Sequence, residues 1–408
     1  MTLRGIVFSV AAFTLPLGSF AAPKVFLIGF APLLIIILLW LGHRDGRAVP
    51  NFPWGAAWLA FAILIWAGAS YWWSLDPGHS LKKLVDLFLV AIGALALFGI
   101  ERQLLPRERF FLGASLTLGL VLFFAMLLSD ISTDGALSRL LHDGSGKSVD
   151  GLMSKLNRGV SIVALLTWTA IIFLYSVGRM GLGLVLGLAA VAICWASTAT
   201  SAAVSVSLGL LTFLAFLKMP SRAVSWVAWF AALWVFVAPF ILGGVTKIID
   251  PTQHIQNPAY YSVVHRLIIW QFSAERIVER PLLGVGLRAS RNIPGAKTKV
   301  IIGEKNGQVR TVDVFSLHPH NGPIEWWLEL GLPGAALAAI VVFCLFQWPK
   351  RIRDPVVRAL LIGQLITAFG IFNLSFGAWQ TWWLIGLVLA AFMAAVVLEG
   401  EQDRPLLS

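Results

Sequence analysis

The sequence predicts an all-α integral membrane protein of about twelve transmembrane helices, with a large, mainly helical loop between the ninth and the tenth. Of its 408 residues, 58% are hydrophobic and only 12% are charged, and the mean hydropathy is +0.82. This composition lies far outside the range of soluble globular proteins. Most of the chain is therefore expected to lie in lipid.

Twelve apolar segments are close to the roughly 20 residues that a helix needs to cross the hydrocarbon core of a bilayer. They lie at residues 5–22, 25–42, 54–73, 81–100, 110–129, 157–177, 180–197, 201–217, 223–243, 323–348, 356–376 and 379–398. The seventh and eighth are short and closely spaced, so one broken hairpin is an alternative for that pair. The first resembles a signal peptide, but further spans follow at once and favour an uncleaved helix.

Basic residues orient these spans, because cytoplasmic loops carry the excess of Lys and Arg. If the N-terminus is cytoplasmic, the inner connections hold clusters such as Arg102, Arg107 and Arg109, whereas the first outer connection holds only Lys24. Both termini are therefore predicted to be cytoplasmic. The chain then divides into spans one to nine at 1–243, an outer loop domain at 244–322, and the last three spans with a cytoplasmic tail at 323–408.

The outer loop domain is too long for a simple connection and is expected to have structure and a function of its own. Residues 260–279 show helical periodicity, and Pro281 is expected to end that helix. Gly284 and Gly286 follow in the sequence PLLGVG and suit a tight turn or a close backbone approach. Residues 290–315 are expected to form a short hairpin or a mobile loop.

The charges of the outer loop indicate an anion site. The formal net charge of the chain is +11, which membrane orientation and anionic lipid explain without nucleic acid. The loop holds ten basic and five acidic residues and no DxD motif. Arginine binds phosphate through two parallel N–H groups, so a phosphate-bearing ligand fits this loop better than a metal does.

No metal site, cofactor or disulfide is predicted. Cys194 and Cys344 both fall within apolar segments and are expected to be inert, buried thiols. His318 and His320 form a His-x-His pair, but Pro319 separates them and the sequence offers no third ligand nearby.

Residues 316–334, SLHPHNGPIEWWLELGLPG, place two histidines and an asparagine directly before an apolar span, where a helix meets water. The order His320-Asn321, then Gly331 and Gly334, resembles a signature of the O-antigen ligase and polymerase superfamily of bacterial envelope glycosyltransferases. Two other segments are similar to stretches of that superfamily. They are Arg266 and Trp270 ahead of the PLLGVG turn, and W-S-x-D-P at residues 73–77 followed by Ser80 and Leu81.

The resemblance implies a multi-pass glycosyltransferase of the bacterial inner membrane with its active site on the periplasmic side. Such an enzyme moves a glycan from undecaprenyl pyrophosphate to an acceptor hydroxyl. The single large loop before the last three spans favours an O-antigen ligase, whose acceptor is the lipid A-core of lipopolysaccharide. The expected partners are thus the lipid-linked glycan, lipid A-core and membrane lipids. An O-antigen polymerase and a protein O-oligosaccharyltransferase are alternatives within the superfamily.

A secondary transporter or lipid flippase is the alternative from another class, since twelve spans with both ends inside also suit a transporter. Transporters tend to have two similar halves and ionisable groups at mid-membrane. Here the spans carry few acids, mainly Asp86, Glu325 and Glu329, and the large loop is external.

The candidate site residues divide by role. His320 is the candidate general base, because an imidazole near neutral pKa can accept the proton of an attacking hydroxyl. Arg266 is the second candidate catalytic residue. The candidates for binding the pyrophosphate are Arg158, Arg288, Arg291 and Lys155, and the candidates for a supporting role are Asn321, His318, Glu325 and Trp270. The resulting transfer is expected to invert the anomeric centre without a metal.

Three of these assignments leave alternatives open. Asn321 either orients the imidazole or caps the following helix. Glu325 either polarises His320 or pairs with an arginine. The superfamily often has Ser-Arg at the start of a middle span, and residues 197–202 carry no arginine at that place, so Arg158 is the candidate substitute.

Overall fold

The computed structural model describes residues 2–44, 54–101, 104–141, 149–248, 261–305 and 308–402. These ranges contain fourteen α-helices and one two-stranded antiparallel sheet, which confirms the all-α membrane fold class. The helices are α1 (Leu3–Ala21), α2 (Pro23–Arg44), α3 (Trp54–Ala69), α4 (Pro77–Glu101), α5 (Pro106–Ser132), α6 (Ala136–Leu141), α7 (Val149–Ser176), α8 (Met180–Ala196), α9 (Thr200–Phe216), α10 (Arg222–Ile248), α11 (Tyr261–Glu279), α12 (Gly322–Gln347), α13 (Pro355–Leu374) and α14 (Thr381–Gln402). The strands are β1 (Lys299–Lys305) and β2 (Gln308–Asp313).

Each of the twelve predicted spans coincides with a helix. Within the described ranges, nine helical segments are long and apolar enough to cross a membrane. The shorter apolar helices α8 and α9 are the pair for which one broken hairpin was the alternative, and they are two separate helices. The chain is therefore a multi-pass membrane protein whose helices follow the hydropathy of the sequence.

The bundle is built around α7, of whose apolar window 89% is buried. This helix packs against α1, α5, α8, α13 and α14, while α9 lies along α13. Small residues permit the close approach, as at Gly209, where an added Cβ would lie 2.3 Å from the Thr367 hydroxyl. The indole N–H of Trp168 donates to that hydroxyl at 2.9 Å and joins α7 to α13.

The segment between α10 and α12 contains one helix and one hairpin in its described part. Helix α11 begins at Tyr261 and ends at Glu279, which confirms the predicted helix and its end before Pro281. It buries Val264 and Ile277 on one side, and it packs along α10. Of the two forms expected for residues 290–315, the hairpin is present. Helix α10 continues past the predicted domain boundary at residue 243, and the three-part division stays a prediction.

Helix α12 differs from the prediction of an unbroken span. At Gly331 the backbone turns to φ 63° and ψ −160°, so the helix is interrupted. The freed carbonyls of residues 328–330 accept hydrogen bonds from the backbone N–H groups of Val285 and Gly286 and from the indole N–H of Trp66, at 2.9–3.0 Å. Irregular backbone at membrane depth requires such partners, because lipid offers none.

The two cysteines are free, and they differ in exposure. Cys194 is buried, as predicted. Cys344 is exposed, so its prediction as a buried thiol is wrong. An apolar helical segment can turn one face away from the bundle, and hydropathy alone does not show which face that is.

Candidate functional site

The three sequence segments that carry the superfamily resemblance meet at one end of the bundle. Their common contact is the turn at residues 281–288. The indole N–H of Trp73 donates to a carbonyl of this turn at 2.9 Å, the backbone N–H of Leu75 to another at 3.0 Å, and the hydroxyl of Ser80 to a third at 2.6 Å. The W-S-x-D-P segment thus anchors the turn, a role that its sequence did not reveal.

The turn at residues 281–288 also lies against the break in α12. Gly286 has φ 97°, and an added Cβ there would lie 2.5 Å from the Cα atom of Ser74. Only glycine allows both this backbone conformation and this approach. The expectation of a tight turn with close backbone contact is confirmed.

His320 is fixed in one tautomer by its neighbours. Its Nδ1 lies 2.7 Å from the carbonyl oxygen of Ser375. Because a carbonyl can only accept, Nδ1 carries the proton and Nε2 keeps its lone pair. Nε2 has no hydrogen-bond partner among the described residues. Burial lowers the pKa of His320 to about 4, and the positive charge of Arg266 acts in the same direction. The imidazole is therefore neutral near pH 7 and can accept a proton at Nε2.

His318 is held by the connection between α13 and α14. Its Nε2 lies 2.8 Å from the side-chain nitrogen of Gln380, whose amide oxygen accepts from Trp382 at 2.9 Å. Its Nδ1 accepts from the backbone N–H of His320 at 3.2 Å. Because Nδ1 accepts from a backbone N–H, a doubly protonated ring would lose this hydrogen bond. Burial lowers its pKa well below the usual value, and nearby positive charges add to this.

The two histidines of the segment lie close together. In the part of the chain that the structure describes, no group of three or more His, Cys, Asp or Glu side chains is arranged to hold a metal ion. The two rings instead lie against each other, with centroids 4.2 Å apart.

Asn321 and Trp270 hold the histidine segment in place. The side-chain oxygen of Asn321 accepts from the backbone N–H of Ile324 at 3.0 Å and caps α12. Its side-chain nitrogen donates to the carbonyl of Asn373 at 3.1 Å. Of the two roles considered for Asn321, the geometry therefore favours the cap. Trp270 on α11 donates its indole N–H to the carbonyl of Pro319 at 2.9 Å.

The positive charges of three arginines act on His318. These arginines are Arg266, Arg288 and Arg291. Each has one buried side-chain nitrogen without a hydrogen-bond partner among the described residues. Burial lowers the pKa of Arg266 and of Arg291, which shows that their surroundings disfavour the charged form. Buried N–H donors without partners cost free energy until an acceptor arrives. An anion is the ligand that would satisfy both the donors and their charge.

Two fully buried carboxylates on α12 face these arginines. Glu325 Oε1 lies 3.8 Å from Arg288 Nη1, and Glu325 Oε2 accepts from the backbone N–H of Ala378 at 2.5 Å. Glu325 thus pairs with an arginine, and no hydrogen bond to His320 is formed. Glu329 accepts from the hydroxyl of Ser290 at 2.6 Å and from the backbone N–H of Arg288.

Arg158 lies beside the segment that lacks the superfamily arginine. Its neighbour Asn157 donates to the carbonyl of Thr198 at 3.3 Å and accepts from the hydroxyl of Thr198 at 2.8 Å. Helix α7 is therefore joined at Asn157 to residues 197–202. This proximity agrees with Arg158 as a substitute for the missing side chain.

Lys24 lies between Arg158 and Arg288 in electrostatic terms, because its charge interacts with both. The sequence indicated Lys24 only as a charge in an outer connection. Lys155 belongs to α7, but its side chain lies outside the described residues.

The comparison with known proteins follows this geometry. A family model described as O-antigen ligase matches residues 182–339. The match includes Arg266, the turn at 281–288 and the histidine segment. This match supports the O-antigen ligase superfamily as the family that the chain resembles.

Similarity to curated relatives extends over most of the chain. A protein of Rickettsia typhi named "putative polysaccharide ligase" is 25% identical over 343 residues, which are 82% of this chain and 79% of the relative. A protein of the same name in Rickettsia prowazekii is 25% identical over 338 residues, 81% of this chain and 78% of its own. A third such protein, in Rickettsia conorii, is 22% identical over 351 residues, which are 85% of this chain and 81% of the relative.

Part of the site lies outside the residues that the superfamily model matches. The connection at residues 375–380 supplies the Ser375 carbonyl to His320, the Ala378 N–H to Glu325 and the Gln380 amide to His318. Sequence reasoning missed this connection because it holds no charged residue and contributes mainly backbone groups. Only Gln380, a polar side chain at the start of an apolar span, is a signal that could have indicated it.

Proposed function

We propose that this protein is an O-antigen ligase, which transfers a glycan from undecaprenyl pyrophosphate to a sugar hydroxyl of lipid A-core in lipopolysaccharide assembly. The reaction takes place on the periplasmic side of the inner membrane, and both termini are cytoplasmic. The observation that supports this function most is a neutral imidazole with an available Nε2 beside three arginines whose buried N–H groups have no partner in the described chain.

His320 is the general base in this proposal. Its Nε2 takes the proton of the acceptor hydroxyl while the hydroxyl oxygen bonds to the anomeric carbon. The bond between that carbon and the pyrophosphate oxygen breaks, and its electron pair leaves with undecaprenyl pyrophosphate. One displacement of this kind inverts the anomeric centre. The proton ends on the imidazole, whose Nδ1–H stays bonded to the Ser375 carbonyl and keeps the ring in position.

The arginines stabilise the departing pyrophosphate. Arg266 acts close to the base, since its positive charge contributes to the lowered pKa of His320. Arg288 and Arg291 are presented by the turn at 281–288 and the residues after it. Their fixed charges meet negative charge that grows on the leaving group, and fixed dipoles and charges stabilise a transition state without rearranging. Arg158 and Lys155 at the start of α7 complete the proposed binding set.

The pH dependence of transfer is expected to report the low pKa of His320. Because the pKa is lowered to about 4, the imidazole is an available base above that pH and is lost as the pH falls through it. The acid limb of kcat/KM, which reports the free enzyme, should therefore lie near pH 4. Bound pyrophosphate offsets the charge of Arg266, so the acid limb of kcat should lie higher. An acid limb of kcat/KM at the ordinary histidine value of 6.5 would contradict this account.

Glycan transfer is expected to be independent of divalent metal ions, because arginines carry the charge compensation. Purified protein should keep its full transfer rate in excess EDTA, with a known Mg²⁺-dependent glycosyltransferase as the control that loses activity. Activity that disappears in EDTA and returns with Mg²⁺ would show that a metal ion takes part.

The decisive experiment supplies purified protein with undecaprenyl pyrophosphate-linked glycan and one of three acceptors. Lipid A-core, a second molecule of the donor, and a Ser/Thr-containing peptide test the ligase, the polymerase and the protein O-oligosaccharyltransferase in turn. We expect a new glycosidic bond only with lipid A-core. Movement of the donor across vesicles without any new bond would instead identify a flippase or transporter and overturn the proposal.

A further inference from the structure

Arg288 has a backbone conformation that its side chain disfavours. Its φ is 60°, in the left-handed region that non-glycine residues rarely adopt. Such a residue costs of order 1–3 kcal/mol and persists only where the surrounding structure holds it. Glycine at this position would avoid the unfavourable φ, but it would also remove the guanidinium. Contacts from other residues must therefore hold the backbone of Arg288.

Glu329 supplies these contacts. One carboxylate oxygen accepts from the backbone N–H of Arg288, and the other accepts from the hydroxyl of Ser290 at 2.6 Å. The backbone carbonyl of the same glutamate accepts from the N–H of Gly286 at 2.9 Å. One fully buried residue on α12 therefore bonds to the chain on both sides of Arg288.

Glu325 lies one turn earlier on α12 and does something different. Its Oε1 faces the guanidinium of Arg288 at 3.8 Å, beyond hydrogen-bond distance, and neither this oxygen nor Arg288 Nη1 has a hydrogen-bond partner among the described residues. Glu325 thus faces the side chain of Arg288 without a hydrogen bond to it. Glu329 instead holds its backbone.

We propose that Glu329 is a positioning residue for anion binding: it acts through Arg288, whose guanidinium it aims into the site by fixing the strained backbone at 288–290. The carboxylate itself faces the turn and touches no substrate. This inference rests on the proposed function in one respect, namely that the anion is a pyrophosphate.

A double-mutant cycle tests the proposal with the full chain purified in detergent. The probe is inorganic pyrophosphate, and its Kd is measured by isothermal titration calorimetry. An amide at position 329 can accept only one of the two donors, so Glu329→Gln leaves a buried donor unpaired and should weaken binding by about tenfold. Arg288→Ala should weaken it at least as much. Because Glu329 acts through Arg288, the double variant should bind no more weakly than Arg288→Ala alone.

Glu325→Gln is the matched control on the same helix. It also removes a fully buried carboxylate, and its amide oxygen can still accept from Ala378. Since Glu325 makes no contact with the backbone at 288–290, pyrophosphate should bind to Glu325→Gln about as tightly as to the wild type. If Glu325→Gln weakens binding as much as Glu329→Gln does, the effect belongs to any change of a buried carboxyl group on α12 and the inference is wrong.

The remaining outcomes separate the inference from the proposed function. Equal weakening by Glu329→Gln in the wild-type and Arg288→Ala backgrounds would overturn the positioning role and leave the proposed function standing. Wild-type protein that binds no pyrophosphate would overturn the proposed function. If Glu329→Gln does not fold, as judged by thermal unfolding, Ser290→Ala removes one of the two carboxylate contacts. It should weaken binding by a few fold, and only where Arg288 is present.

Discussion

Replacing His320 by alanine is expected to lower the rate of glycan transfer by about 10²- to 10⁴-fold, the usual contribution of a general base. The substitution removes the group that takes the proton in the proposed mechanism, while the proposed donor-binding residues Arg266, Arg288 and Arg291 remain. The histidine segment should keep its fold, because the Asn321 cap and the Trp270 contact to Pro319 do not involve the imidazole.

The measurement is transfer to lipid A-core by purified His320→Ala, together with the Kd for inorganic pyrophosphate. His265→Ala is the matched control, because His265 bonds through Nε2 to the carbonyl of Asp313 at 3.0 Å and joins α11 to the hairpin. His265→Ala should mainly lower the thermal stability and should affect the transfer rate less than His320→Ala does. Transfer by His320→Ala at the wild-type rate would remove the base from the mechanism.

Replacing Gly331 by alanine is expected to destabilise the protein by about 3 kcal/mol or more. The added Cβ would lie 2.2 Å from the carbonyl oxygen of Leu282, and φ 63° is unfavourable for alanine in any case. Either the turn at 281–288 moves away or α12 straightens. Both changes remove acceptors from Val285 and Gly286 and displace Arg288, so pyrophosphate binding should weaken together with stability.

Thermal unfolding in detergent checks this result, with Gly29→Ala as the control. Gly29 lies within α2, and a Cβ there meets nothing within 4 Å. Alanine at that position should leave the unfolding temperature unchanged or slightly higher, since alanine favours helix. An unfolding temperature of Gly331→Ala equal to that of the wild type would show that the break in α12 is not required.

Much of the fold could be predicted because hydropathy and helical periodicity are local properties. The periodicity of residues 260–279 and the effect of Pro281 were enough to place α11 to within a residue. The break in α12 was not predicted, since a window of apolar residues averages over Gly331 and Pro333 without showing a positive φ. The exposed Cys344 was missed because composition does not tell which face of a helix meets lipid.

The site residues likewise divide into those that the local sequence indicated and those that depend on the folded arrangement. His320 and Arg266 were indicated by side-chain chemistry and by the resemblance of the motifs that carry them, and Arg288 by its charge in the basic outer loop. The Ser375 carbonyl, which decides the tautomer of His320, is a backbone group that every residue possesses and so leaves no trace in the sequence. The different duties of Glu325 and Glu329 likewise depend on which atoms the turn at 281–288 brings to them.

The interruption at Gly331 also bears on biogenesis. The freed carbonyls accept hydrogen bonds from Trp66 of α3 and from the turn at 281–288, which precedes α12 in the chain. When the translocon releases this helix, it is stable in lipid only if both earlier segments have already arrived. Stable insertion of α12 is therefore expected to depend on prior assembly of the N-terminal helices that carry Trp66.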